Sequence, residues 1–279
     1  MYPIILEIGS FSIHTYGVML ALSFILGIML AEKRAKKMNI NPDIISNLSI
    51  LILVSSVVGS RGMYVLTHLY EFKGHWMDAV AFWKGLSGLT VLGGFVLAVL
   101  SSIIYLAKKK ISIWPIADIV MPIIGFGEFL TRIGCFFNGC CFGKPTNSFL
   151  GVIFPEGSYP VQCYHSAIPI HPTQLYSSFY GLAIFVLMVL IEKKKPFVGF
   201  NFFFFFLLYG LSRFIVDFFR FYTADQLLLG ITNNQWISLL MTVSGIIGYF
   251  IMYDYCKRNN CLISTLAKQD SKKGVKNNM

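Results

Sequence analysis

The chain has 279 residues, 56% of them hydrophobic and 13% charged, with 23 Lys and Arg against 13 Asp and Glu for a net charge of +10. Charged residues stand at about half the roughly 25% of a soluble globular protein, and the mean hydropathy is +0.66. This excludes a soluble fold, a disordered chain and a coiled coil, and leaves a polytopic membrane protein.

About 20 apolar residues are needed to cross roughly 30 Å of hydrocarbon as helix. Seven windows qualify in chain order: 16–31, 45–66, 86–106, 113–130, 175–191, 198–219 and 236–255. The first lacks a basic leader and a small-residue cleavage site, so it reads as a retained helix rather than a signal peptide. The expected fold is an all-α bundle of seven transmembrane helices. A single integral membrane domain occupies 1–255, followed by a basic tail at 256–279.

Basic residues cluster after windows one, three and five and in the tail, which together hold sixteen of the 23 Lys and Arg. With seven spans these clusters fall on one side, so the N-terminus is expected outside and the C-terminus in the cytoplasm. The asymmetry also suits an anionic inner leaflet. The tail reads as a solvated end, with no nucleic-acid partner.

The remaining basic residues include Arg61 and Arg213 inside apolar windows and Arg132 at the outer end of one. A charge in hydrocarbon costs several kcal/mol, so such residues face a polar cavity and a partner. Glu128–Arg132 and Arg213–Asp217 each stand at helical i,i+4 spacing. One reading is that these pairs only neutralise each other inside the bundle. Three intramembrane arginines point further, to an anionic ligand, because guanidinium matches phosphate bidentately and the phosphates at membrane depth belong to phospholipids.

The longest segment outside the windows, 131–173, is expected on the outer side. It carries Cys135, Cys140, Cys141 and Cys163 with His165 and His171. Cys-x4-Cys-Cys followed by Cys-x-His fits none of the usual zinc or iron–sulfur frames, so no metal is assigned. An outward loop meets oxidant, so disulfides are expected there, with the pairing open. The glycine-rich run from Arg132 to Gly143 suits either a re-entrant backbone that a ligand approaches closely or an ordinary loop with turns. The phenylalanine run 202–206 reads as lipid-facing bulk. No internal repeat, P-loop, GxSxG or HExxH motif is present.

Several motifs stand together in order. They are Ser12-Ile-His14-Thr-Tyr16-Gly17, Gly59-Ser-Arg61-Gly-Met-Tyr64 and Gly88-Leu-Thr-Val-Leu92-Gly93-Gly94. Next comes Arg132-Ile-Gly134 with Asn138-Gly139 and Gly143, and then His171-Pro172-Thr-Gln174-Leu-Tyr176. Tyr209-Gly210-Leu-Ser-Arg213 with Asp217 and Arg220 follows, and Gly230-Ile-Thr-Asn-Asn-Gln235 comes last. In this set the chain resembles the phosphatidylglycerol–prolipoprotein diacylglyceryl transferases of bacterial inner membranes, over nearly its whole length.

The resemblance implies transfer of the diacylglyceryl group of phosphatidylglycerol to the lipobox cysteine thiol of a prolipoprotein, with glycerol phosphate leaving. It implies a multi-pass enzyme of the bacterial cytoplasmic membrane, partnered by phosphatidylglycerol, prolipoprotein lipobox peptides and the bilayer, with no cofactor. Arg132, Arg61, Gly143, Asn138 and Gly134 are expected on the phospholipid. Arg213, Tyr209, Tyr16, His14 and His171 are expected in catalysis, with Glu128 and Asp217 as supporting ion partners.

The chain departs from the family pattern at four places. Leu92 stands where a histidine, a candidate base, usually precedes Gly-Gly; Cys135 replaces asparagine, Cys140 replaces glutamate, and Asp217 replaces glutamate. Tyr209, His14 or His171 would then take over as base. The alternatives are a same-fold lipid transferase with another acceptor, a membrane thiol oxidoreductase using the outer cysteines, and a non-catalytic lipid binder or transporter.

Overall fold

The computed structural model describes residues 3–8, 11–75, 77–78, 90–223, 226–259 and 261–263. The Gly88-Leu89 part of the third motif, the start of window three and the tail beyond 263 lie outside the described residues. Among the described residues seven helices are long and apolar enough to span a membrane, as the hydropathy windows require. They are α1 (Thr15–Lys37), α2 (Pro42–Thr67), α3 (Val91–Lys108), α4 (Ile113–Asn138), α6 (Thr173–Ile191), α7 (Phe200–Asp217) and α8 (Asn233–Arg258), with a short α5 (Tyr159–Tyr164) between α4 and α6. Among the described residues three two-stranded antiparallel ribbons accompany them: β1 (Ile4–Ile8) with β2 (Phe11–His14) before α1, β3 (Val152–Ile153) with β4 (Pro169–Ile170), and β5 (Leu227–Leu228) with β6 (Ile231–Thr232).

The helices gather into two compact units, one of residues 31–116 and one of residues 1–30 with 117–279. In the first, α2 and α3 approach backbone to backbone through glycine and serine. A Cβ on Gly59 would strike the Gly93 carbonyl, and one on Gly94 would strike Ser60. Small residues of this kind drive helix association in lipid, where apolar area is no driving force. The Thr90 hydroxyl and amide both donate to the Ser60 carbonyl at 3.0 and 3.1 Å. The second and third sequence motifs therefore pack on each other.

In the larger unit, buried Asp118 near the start of α4 accepts from Lys195 Nζ at 2.7 Å and from the amides of Gly199 and Asn201 at 2.9 Å. Asn201 Nδ2 returns a bond to the Asp118 carbonyl at 2.9 Å. This ties the start of α4 to the α6–α7 turn. Glycines let α4 and α6 cross at Gly125 and Gly181 and let α7 and α8 meet at Gly210 and Gly245. Tyr180, Ile184, Met188, Phe205 and Val216 form the core between α6 and α7.

Three expectations need correction. The helix α4 runs on to Asn138, so the segment outside the helices begins at Gly139 rather than at 131, and Arg132 to Asn138 is regular helix rather than re-entrant loop. The backbone ladder continues past the polar residues that ended the hydropathy window. The phenylalanine run is not lipid-facing bulk, because Phe205 is buried against Tyr209 and Phe203 packs with Phe197. The described cysteines are all free thiols, without the expected disulfides.

Candidate functional site

The segment after α4 is folded on its own core of Phe142, Phe154 and Ile170. The Phe142 ring stacks on Phe221 with centroids 5.6 Å apart. Backbone bonds fasten it to its neighbours: the Gly143 amide donates to the His171 carbonyl at 3.0 Å, and the Lys144 amide to the Phe219 carbonyl at 2.8 Å. Gly143 is needed because a Cβ there would meet both carbonyls. Its expected place on the lipid is thus first a packing requirement. The Tyr164 hydroxyl donates to the Gly143 carbonyl at 3.0 Å, and burial, with Cys163 nearby, pushes that phenol up to about 12.

Arg132 and Arg213 meet at a polar cavity of about 180 Å³, lined with them by Tyr209, Asn234, Ile237, Ser238 and Met241. That volume suits a phosphate headgroup rather than a whole lipid. Arg132 comes from α4, Tyr209 and Arg213 from consecutive turns of one face of α7, and Asn234 and Ser238 from the first turns of α8. The capping box of Thr232 and Gln235 starts α8 at this place.

Each arginine is paired once and keeps donors in reserve. Arg132 Nε donates to Glu128 Oε1 at 2.8 Å, and the Tyr180 hydroxyl donates to the same oxygen at 3.1 Å. The Arg132 Nη groups have no hydrogen-bond partner among the described residues. Arg213 Nη2 pairs with Asp217 Oδ1 at 3.2 Å, while its buried Nη1 has no hydrogen-bond partner. Both i,i+4 pairs expected from the sequence are therefore formed. Buried unpartnered guanidinium donors are costly unless a ligand takes them up.

Sequence reasoning missed Tyr222. Its hydroxyl accepts from Asn234 Nδ2 at 2.9 Å and from Arg213 Nη2 at 3.4 Å, and donates to Asp217 Oδ2 at 2.9 Å. Burial raises this phenol, which keeps it a donor to the carboxylate. Thr232 Oγ1 adds a 3.4 Å bond to the same Asp217 oxygen. Asn234 lies in a motif the sequence reading quoted but assigned no role. The signal that could have found it was polarity at the start of an otherwise apolar helix.

The other expected residues lie apart from the cavity lining. Tyr16 opens α1, where Gly134 of α4 packs against its backbone and against Met19. Asn138 ends α4 and is exposed. His14 lies on the N-terminal ribbon with its ring 3.3 Å from Ser12 Oγ. His171 Nδ1 is 3.1 Å from the Tyr176 hydroxyl, its ring meets Phe219, and burial lowers its imidazole below the ordinary value. Arg61 belongs to the smaller unit, where Nη2 donates to the Asp78 carbonyl at 2.6 Å and the guanidinium lies over the Tyr64 and Phe72 rings. Leu92 is exposed on α3.

A second cluster was also missed. The thiols of Cys135, Cys140 and Cys141 all lie within 4.8 Å of one another. The spacing concealed it: Gly139 and Cys141 both take left-handed backbone (φ 73° and 62°), which folds the chain back onto the end of α4. Gln174 Nε2 and Thr173 Oγ1 of α6 hold the Cys140 and Cys141 carbonyls at 2.7 Å each. Hydrogen bonds from the neighbouring thiols, with Arg220 and Arg132 close by, hold the Cys141 thiol well below its ordinary range.

A family model described as prolipoprotein diacylglyceryl transferase matches residues 3–251. The chain belongs to that family. It is 30% identical over 247 residues to the phosphatidylglycerol–prolipoprotein diacylglyceryl transferase of Clostridium tetani, covering 88% of this chain and 96% of that protein. The enzyme of the same name from Trichormus variabilis is 31% identical over 258 residues, covering 90% of this chain and 89% of its own. A second-numbered transferase of Clostridium perfringens is 28% identical over 246 residues, with 88% and 93% covered. As a member of the family the chain is a multi-pass membrane protein, with its two arginines and Tyr209 gathered at one polar cavity.

Proposed function

We propose that the chain transfers the diacylglyceryl group of phosphatidylglycerol to the lipobox cysteine of a prolipoprotein, in the bacterial cytoplasmic membrane with its N-terminus outside. The observation that carries this reading is the cavity between Arg132 and Arg213, whose spare guanidinium donors fit one phosphate. The acceptor sulfur attacks the glycerol carbon that bears the phosphate. The carbon–oxygen bond breaks, a thioether forms, and glycerol phosphate departs with the electron pair. Charge builds on the leaving phosphate, and donors already fixed in a partly buried site stabilise it with little reorganisation.

Among the groups considered as base, Tyr209 lines the cavity, and we assign its hydroxyl to relay the acceptor thiol's proton to an oxygen of the departing phosphate, so that the sulfur attacks as thiolate and the tyrosine ends the step unchanged. Tyr222 and Asn234 hold Arg213 in position through Asp217. Gly134 and Gly143 serve by close packing.

The test is mass spectrometry of a lipobox peptide incubated with purified protein and phosphatidylglycerol in detergent. A thioether-linked diacylglyceryl adduct with released glycerol phosphate is expected, and its loss in Arg132→Ala. No adduct from folded protein beside an active control enzyme would overturn the assignment.

A further inference from the structure

We propose that Cys135, Cys140 and Cys141 form a three-thiolate site for zinc whose open fourth position takes the acceptor cysteine's sulfur. The inference rests on the transferase reading above.

Three observations carry it. The three sulfurs converge within 4.8 Å of one another, and the group holds three ligands among the described residues. Tetrahedral zinc with Zn–S bonds of about 2.3 Å sets its sulfurs roughly 3.8 Å apart, a small contraction from this arrangement. Three protein ligands with one vacant position is also the pattern of catalytic rather than structural zinc. Next, the cluster is built rather than incidental. Cys135 is buried on the last turns of α4, and the Cys140 and Cys141 carbonyls are each anchored by an α6 side chain. Finally, Cys135 stands three residues after Arg132 on the same face of α4, one turn from the phosphate clamp.

The chemistry fits the reaction. An acceptor thiol with an ordinary pKa of about 8.5 is mostly protonated at neutral pH, and the position where a histidine base was expected holds Leu92, exposed on α3. Zinc removes the need for a base because a coordinating thiol is deprotonated outright. The acceptor thiol would bind zinc as thiolate and release its proton to water. The zinc-bound sulfur would then attack the glycerol carbon, the phosphate oxygen would leave with the bonding pair, and the neutral thioether would leave the metal. Arg132 and Arg220, close to Cys141, offset the charge of the thiolates.

The experiment uses the full chain purified in detergent under reductant. Metal analysis after dialysis against zinc should find one equivalent per chain in the wild type and none in the Cys135→Ser, Cys140→Ser and Cys141→Ser triple variant. To keep the test independent of that variant's folding, cobalt(II) is also loaded into the wild type. Intense visible bands of a tetrahedral sulfur site should appear, and they should shift when a lipobox peptide is added but not when its cysteine is serine. Absence of stoichiometric metal in the wild type overturns the site. Cobalt bands indifferent to the cysteine peptide overturn the fourth-ligand role. Transfer that proceeds undiminished in metal-free protein sinks this inference and leaves the transferase reading standing, whereas metal that responds to the peptide without any transfer from phosphatidylglycerol sinks that reading and keeps the site.

Discussion

Arg213→Lys separates the pairing of Arg213 with Asp217 from its proposed phosphate contact more cleanly than alanine does. The side chain holds Asp217 through Nη2 at 3.2 Å and keeps a buried Nη1 with no hydrogen-bond partner. Asp217 is itself fully buried, so alanine would strand a carboxylate and blur a catalytic loss with a folding one. Lysine retains a cation for Asp217, which also keeps its bonds from Tyr222 and Thr232. A single ammonium cannot serve the carboxylate and also present the second, forked donor to a phosphate. Loss of one such fixed donor to a developing oxyanion costs about 2.7–4 kcal/mol, or a hundred- to thousand-fold in rate. The expected result is that fall in kcat for diacylglyceryl transfer to a lipobox peptide, with the thermal unfolding midpoint in detergent close to wild type. Near wild-type turnover from Arg213→Lys would refute the clamp; a collapsed midpoint would show that the arginine is chiefly structural.

Gly143→Ala drives a Cβ into the His171 and Phe219 carbonyls, and should destabilise the segment between α4 and α6 by about 1–3 kcal/mol, seen as faster proteolysis between 139 and 172. Asp118→Ala strands Lys195 and two backbone amides. It should cost about 3–5 kcal/mol and lower the unfolding midpoint sharply, while a midpoint unchanged from wild type would mean the cluster contributes nothing. Tyr164→Phe removes the donor to the Gly143 carbonyl, at about 1 kcal/mol. Since burial raises that phenol to about 12, its contribution is complete below about pH 10 and fades as pH rises through 12. A wild-type-minus-variant difference that is flat across this window would contradict the assignment.

The seven helices were legible because bilayer thickness imposes a length and apolarity that a hydropathy window reads directly. Glu128–Arg132 and Arg213–Asp217 were legible because helical spacing alone makes such pairs neighbours. The end of α4 was not, since Arg132 and Asn138 lower hydropathy without interrupting the backbone ladder. The phenylalanine run misled for a related reason: a helix neighbour and a lipid tail are equally apolar, so sequence cannot tell which one a side chain faces. Tyr222 and the three clustered thiols were hidden because their partners are brought in by tertiary folding, through a loop and a left-handed turn that carry no periodic signal.

The Asp118 junction sets a measure for the clamp. Asp118 and Asn201 are bonded to each other near the starts of α4 and α7, so both helices leave the same anchor. Arg132 lies fourteen residues along one helix and Arg213 twelve along the other. At 1.5 Å per residue these are rises of about 21 and 18 Å, which brings the two guanidinium groups to nearly one height far from the junction that aligns them. One residue inserted into either helix between anchor and arginine would slide that arginine by about 1.5 Å and turn it by about 100°. The gauge of the proposed phosphate site is therefore written in helix length, and the two segments cannot change their residue count, while within them Gly125, Glu128, Tyr209 and Gly210 are held by packing and pairing.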